Sequence, residues 1–239
     1  MTAKRSTPST QSWVARHAGG LFITGFGLVF TVAGLLILFI AVPSTTARSR
    51  EVDTLAVVTP ASAATHAAGT RVLLEARIAS DAPERYRDFV AFRRREFKGW
   101  KEEGGRRTEQ WDTKEVVAPA LVLGDDAVRI AIAAADYEMS AEPHTWRSSN
   151  TLERTLLGPT TQEVVGFRRG DAVTADGVLE RNANVIGIRI TTLAGGSAVA
   201  YRASLRESVQ ALRIVGVVFA CVGTIMLAAG LYVLRRRAD

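Results

Sequence analysis

The chain has 239 residues, 47% of them hydrophobic, a formal net charge of +6 and a single cysteine. Lys4, Arg5 and Arg16 lie in the first 18 residues without an acid, and Arg235, Arg236 and Arg237 face only Asp239 at the other end. A nucleic-acid binder concentrates its cations on a folded domain, so nucleic acid is not an expected partner. One cysteine, Cys221, excludes an internal disulfide, a zinc cage and a Cys–His catalytic pair.

After the basic tail of residues 1–18, the segment 19–43 reads as a first transmembrane helix. Gly20 to Val42 is 23 residues without a charge, 15 of them Leu, Ile, Val or Phe. These side chains alone favour insertion by about 7 kcal/mol, and the helix would span about 34 Å against a hydrocarbon core of about 30 Å. A cleaved signal peptide, with Thr45-Thr46-Ala47 as its small-residue site, has a shorter apolar core. Pro43 is expected to stop the helix.

Residues 44–68 read as a tether with one short strand at Asp53–Thr59. A mainly β domain is expected over 69–205, a small barrel or sandwich and possibly OB-like. Arg71–Ile78 alternates as a half-buried strand, and Phe89–Phe97 follows. Gly104-Gly105 suits a tight hairpin, whose return strand runs over Thr108–Lys114. Val116–Leu123 carries Pro119, the mark of an edge strand or bulge. Val128–Ile132 follows a turn at Gly124-Asp125-Asp126. Ala133–Met139 suits one or two helical turns, and Ser140–Pro159 a long loop. Strands resume at Glu163–Arg168, Ala172–Ala175 and Val178–Glu180, with turns at Gly170-Asp171 and Asp176-Gly177. Val185–Thr192 and Ala198–Leu205 read as a last hairpin across Gly195-Gly196.

Residues 206–234 read as a helix leading into a second transmembrane span, with 21 uncharged residues from Ile214 to Leu234 and the basic tail 235–239 beyond. Short basic tails stay cytoplasmic while long loops translocate. Lys4, Arg5, Arg16, Arg235, Arg236 and Arg237 therefore predict both termini in the cytoplasm, the middle domain outside it, and the cell membrane as location. Along the second span Gly216, Ala220, Thr224 and Ala228 recur every four residues, a row suited to close helix packing against Gly27 and Thr31 of the first span or a second copy.

The middle region resembles the GIDE domain, also called the beside-a-membrane domain, of membrane-anchored RING ubiquitin ligases and their prokaryotic relatives. Carrying the resemblance over roughly 69–180 are Gly69–Ile78, Arg85-Tyr86-Arg87-Asp88-Phe89-Val90-Ala91-Phe92, Trp111, and Val165-Gly166-Phe167-Arg168-Arg169-Gly170-Asp171-Ala172-Val173 with Gly177. In the eukaryotic ligases a zinc-binding RING follows the second span. Only five residues follow it here, without Cys or His, so the resemblance implies a RING-less member and ligase activity is not expected. Two-span cytochrome oxidase assembly factors share the span–domain–span order, but their Gly-Trp-Gln motif is absent.

Candidate sites are few. His17, His66 and His144 do not pair at metal-ligand spacing, and neither a P-loop nor a Gly-x-Ser-x-Gly elbow occurs. The acidic pairs Asp125-Asp126 and Glu102-Glu103 fall at turns. The cluster Arg93, Arg94, Arg95, Lys98, Trp100 and Lys101 could meet a membrane surface, but Glu96, Glu102, Glu103 and Glu109 nearly cancel its charge. The sequence thus predicts no cofactor, no metal and no catalysis. Its expected partners are the lipid bilayer and another protein or a second copy, with an accessory role in a larger membrane complex as the alternative.

Overall fold

The computed structural model describes residues 10–124, 127–132, 136–148, 161–182 and 185–236. They form two compact units, a helical one of residues up to 51 and from 203, and a β unit of residues 52–202. As the sequence predicts, two long apolar helices flank a mainly β domain.

In the helical unit α1 (Thr10–Leu36) passes through a single π-helical turn, Ile37–Ala41, into α2 (Val42–Thr54). Pro43 does not end the helix, contrary to expectation. Its ring would crowd the carbonyl of residue 39 and it has no N–H to offer. The wide turn just before it removes that conflict, with the Val42 N–H donating to the Ile37 carbonyl five residues back. The Ser44 and Thr45 hydroxyls then donate to the Ala41 carbonyl at 2.9 and 2.8 Å, and that of Thr46 to Val42 O at 2.6 Å. The expected tether is therefore mostly structured, as α2, β1 (Ala56–Val58) and the short α3 (Pro60–Ala63), whose Thr59 and Ser62 form a capping box.

The β unit has two sheets. The first runs β1, β2 (Arg71–Arg77), β10 (Ala172–Asn182), β11 (Val185–Gly195), β6 (Arg129–Ile132) and β5 (Val122–Gly124), with β7 (Glu138–Ser140) also pairing β11. It curls on itself. Ile78 bridges Leu123, and the Ala79 N–H donates to Val122 O at 3.0 Å, so β5 returns to the end of β2 and five strands close a small barrel. The second sheet is antiparallel, in the order β4 (Arg106–Val117), β3 (Phe89–Glu103), β9 (Gln162–Arg168), β8 (His144–Arg147). One core joins them. Val72, Leu74, Leu123, Ile130, Ala175 and Ile188 of the barrel pack in the same cluster as Val90, Ala91 and Phe167 of the second sheet.

Several boundaries differ from the sequence reading. Pro119 lies between β4 and β5, where the chain leaves one sheet for the other, not inside an edge strand. Glu138 and Met139 are strand rather than helix, because β11 offers them a parallel partner. The expected loop after Ser140 contains β8, while residues 149–160, like the Asp125-Asp126 turn, lie outside the described residues. Asp176-Gly177 is a bulge within one long strand, not a turn.

The largest difference is Ala198–Leu205, which begins α4 (Ala198–Arg236) instead of closing a hairpin. The helix start is capped across the chain. The Ala198 N–H donates to Glu75 Oε1 at 2.6 Å, and the Ala200 N–H to Ser197 Oγ at 3.3 Å.

Candidate functional site

Along their uncharged stretches, residues 20–42 and 214–234, both long helices expose large apolar side chains. Phe22 is 65% exposed, Phe39 74% and Ile225 68%. A core helix of a water-soluble protein buries such groups, and both helices are long and apolar enough to cross a membrane.

Their seam is glycine. Between Ala18 and Ala41 the buried residues are Gly20, Gly27 and Gly34, and between residues 210 and 236 they are Gly216, Gly223 and Gly230. Both sets recur every seven residues and meet in antiparallel order. A Cβ added at Gly27 would lie 2.5 Å from Leu227 N and 2.9 Å from Gly223 O. At Gly34 it would collide with Ala220 N, and at Gly20 it would lie 2.8 Å from a Leu234 methyl. At Gly27 and Gly34, which face backbone, only hydrogen fits, and a seven-residue period keeps the stripe facing its partner. Thr24 and Thr31 complete the α1 side. Their hydroxyls bond back to Gly20 O and Gly27 O at 2.8 Å each, so both are satisfied within the helix.

The period-four row expected on the second span is corrected by this arrangement. Gly216 and Ala220 lie on the seam, whereas Thr224 and Ala228 are exposed, because the contact follows a period of seven. Gly27 and Thr31 do meet the second helix, at Gly223 and Leu227.

Of the topology residues, Arg235 and Arg236 occupy the last turn of α4, where cations suit the helix dipole. Lys4, Arg5 and Arg237 lie outside the described residues, as does the side chain of Arg16.

The basic cluster on β3 is dispersed among acids. Arg93 pairs with Glu142 at 2.6 Å, Arg94 with Glu115 at 2.9 Å, Arg95 with Glu163 at 3.6 Å, Lys98 with Asp112 at 3.4 Å and Lys101 with Glu103 at 2.9 Å. Alternation puts Arg93 and Arg95 on the opposite face from Arg94. Lys114 and Lys98 together hold the Asp112 carboxyl below its usual range, and Lys101 does the same for Glu103.

Among the described residues, β3 from Gly99 outward pairs only with β4. A two-stranded ribbon is marginal in water, and this one carries its own small core. Phe97, 5% exposed, packs edge-on against Trp100 and Trp111 at 5.6 and 5.4 Å, while Arg107 covers Trp100 at 4.6 Å.

Three polar arrangements escaped the sequence reading. Asp176, fully buried, accepts both arms of Arg71 at 3.0 Å each. Glu163 is shared by Arg147 at 2.8 Å and Arg95, and Arg147 also holds Glu109 at 2.9 Å. His144 Nε2 lies 2.9 Å from Asp171 Oδ1, whose other oxygen accepts the Arg168 N–H at 2.7 Å. The side-chain partners Arg71–Asp176, Arg147–Glu163 and His144–Asp171 are 16 to 105 residues apart in the chain, which no local pattern signals. Among the described residues no three His, Cys, Asp or Glu side chains gather to hold a metal. Burial raises the Tyr137 hydroxyl pKa, but that hydroxyl is spent on the Pro119 carbonyl at 3.0 Å. A cavity of about 220 Å³ opens beside Arg77, Ser80, Gly124 and Arg129. Both its arginines are engaged, Arg77 by Gly170 O and Arg129 by Asp81, whose carboxyl Arg129 holds below its usual range.

No family model, curated protein or solved structure matches the chain.

Proposed function

We propose that this chain is a two-pass membrane protein that presents its β domain, on the extracytoplasmic side of the cell membrane, as an interaction module without chemistry of its own. The observation that supports the anchoring is the helix pair, with long uncharged stretches that expose apolar side chains and meet along a glycine seam. The basic tails support a topology with both termini in the cytoplasm. Many charged side chains of the β domain are taken up in ion pairs with one another, which suits a surface for recognition better than a reaction centre. The GIDE-like reading of residues 69–180 belongs to the same proposal and contributes a membrane-proximal interaction domain, not ligase chemistry.

Alkaline phosphatase fused to the C-terminus is expected to be inactive, and an active fusion refutes the topology. Purification of the full chain in mild detergent, followed by mass spectrometry, tests the role. A bound protein partner or self-association is the expected result. A stoichiometric larger membrane complex points instead to an accessory subunit or assembly factor, and a co-purifying metal or cofactor refutes the non-catalytic reading.

A further inference from the structure

The segment before β3 makes a tight reverse turn at Tyr86–Phe89. The Phe89 N–H donates to Tyr86 O at 2.9 Å, and the Tyr86 N–H returns to Phe89 O at 3.3 Å. Arg87, at the first central position, has φ of +53°, a left-handed conformation that favours glycine or asparagine over a long side chain. Its exposed guanidinium lies 3.8 Å from the Trp146 ring centroid and 5.8 Å from that of Tyr86. The platform is itself fixed, Tyr86 packing against Trp146 at 6.1 Å and Phe92 at 5.7 Å.

Nearby cations are already matched, Arg168 with Asp88 at 2.9 Å and Arg169 with Glu84 at 3.2 Å. Among the described residues Arg87 has ring contacts alone, and its N–H groups have no acceptor. A left-handed turn therefore holds the guanidinium over the indole ring, and among the described residues no acceptor takes its hydrogen-bonding edge.

We propose that Arg87, laid on Trp146, is the docking residue for a carboxylate of an acidic segment on a protein partner. The proposal deepens the interaction reading above and rests on it. A planar guanidinium fork matches a carboxylate in two parallel hydrogen bonds, and stacking fixes its orientation before the partner arrives. Arg, Trp and Tyr are also the residue types that dominate protein interfaces energetically. An anionic bilayer is the poorer fit. It is recognised through clusters of about four to eight cations, and on this turn only Arg85 and Arg87 lack a carboxylate partner among the described residues.

The test uses the full chain in phosphatidylcholine nanodiscs and a fluorescein-labelled octaglutamate peptide at near-physiological salt. Saturable binding is expected, weakened about tenfold or more by Arg87→Lys, which keeps the charge but loses the fork. Arg85→Lys should change it less than about twofold, since no stack fixes that side chain. Arg87→Gly should abolish binding while leaving the melting temperature of the β domain equal or higher, because glycine fits the turn. The proposal is overturned if octaglutamate does not bind, if both lysine variants weaken it equally, or if Arg87→Gly lowers the melting temperature. Phosphatidylglycerol vesicles that bind through Arg87 where the peptide does not would overturn it in favour of lipid. None of these outcomes touches the topology, which the phosphatase fusion reads separately.

Discussion

The two units are held together by opposite means. In the helical unit the segment from Gly20 to Val42 carries no charge, and the helices approach because side chains are missing at Gly27, Gly34 and Gly223. In the β unit charged side chains run along the strands and are matched in pairs, and a buried aspartate is accepted because an arginine meets it with two bonds. The helix pair should therefore fail when atoms are added and the β unit when they are removed.

That contrast can be broken or sharpened by four measurements. Asp176→Ala removes both bonds to the partly exposed Arg71 and should cost about 2–3 kcal/mol of β-unit stability in denaturant unfolding. A loss below 1 kcal/mol would show that charge matching is incidental there. Gly223→Leu should cost about 1–3 kcal/mol and separate the helices, read as lost disulfide crosslinking between cysteines placed on the two spans. Thr224→Leu, one residue away and exposed, should leave crosslinking intact. If both variants behave alike, the seven-residue seam is wrong.

Gly104→Val is the exception that sharpens the rule, since it adds atoms to the β unit. The turn at Gly104 and Gly105 has φ of +58° and +75°, and a β-branched residue there should cost about 1–2 kcal/mol, visible as a lower melting temperature. The smallest effect is expected from Arg94→Ala. Arg94 and Glu115 are 37% and 43% exposed, and such pairs contribute about 0–1 kcal/mol.

The ribbon pairs also set a pH dependence. The Asp112 and Glu103 carboxyls titrate below their ordinary values of 3.8 and 4.5 in the folded state. Their contribution is therefore present above those values and lost as pH falls through the lowered folded ones. Hydrogen exchange at the ribbon amides should stay unchanged between pH 7 and 5, after correction for intrinsic rates, and rise below about pH 4.

The sequence made the two long apolar helices legible because length and lack of charge are local properties. The seam was legible too, in Gly20, Gly27, Gly34 and Gly216, Gly223, Gly230, but only if read with a period of seven. A period-four row on one helix finds small residues without asking which stripe meets the partner. Pro43 misleads because the π-helical turn that accommodates it has no signature in composition. Ala198–Leu205 misleads because glycines at 195 and 196 mimic a hairpin turn, while the carboxylate that caps the helix lies 123 residues earlier. Asp176-Gly177 is a turn by local preference, and only the pairing of β10 with β2 and β11 makes it a bulge. The basic cluster could be recognised as nearly neutral from its flanking acids, but not assigned its partners, because Glu142 and Glu163 come from other strands.

The position of β2 has a consequence for biogenesis. It pairs with β10, from Arg71 opposite Val178 to Arg77 opposite Ala172, about a hundred residues later in the chain. At about 5–20 residues per second of synthesis, the strand waits roughly 5–20 s for that neighbour. Until then Val72 and Leu74 have no barrel to enter. A chaperone that shields extended apolar segments for seconds is what this strand order asks of the cell, and a halt in synthesis between β2 and β10 should leave a chain that aggregates rather than a smaller folded domain.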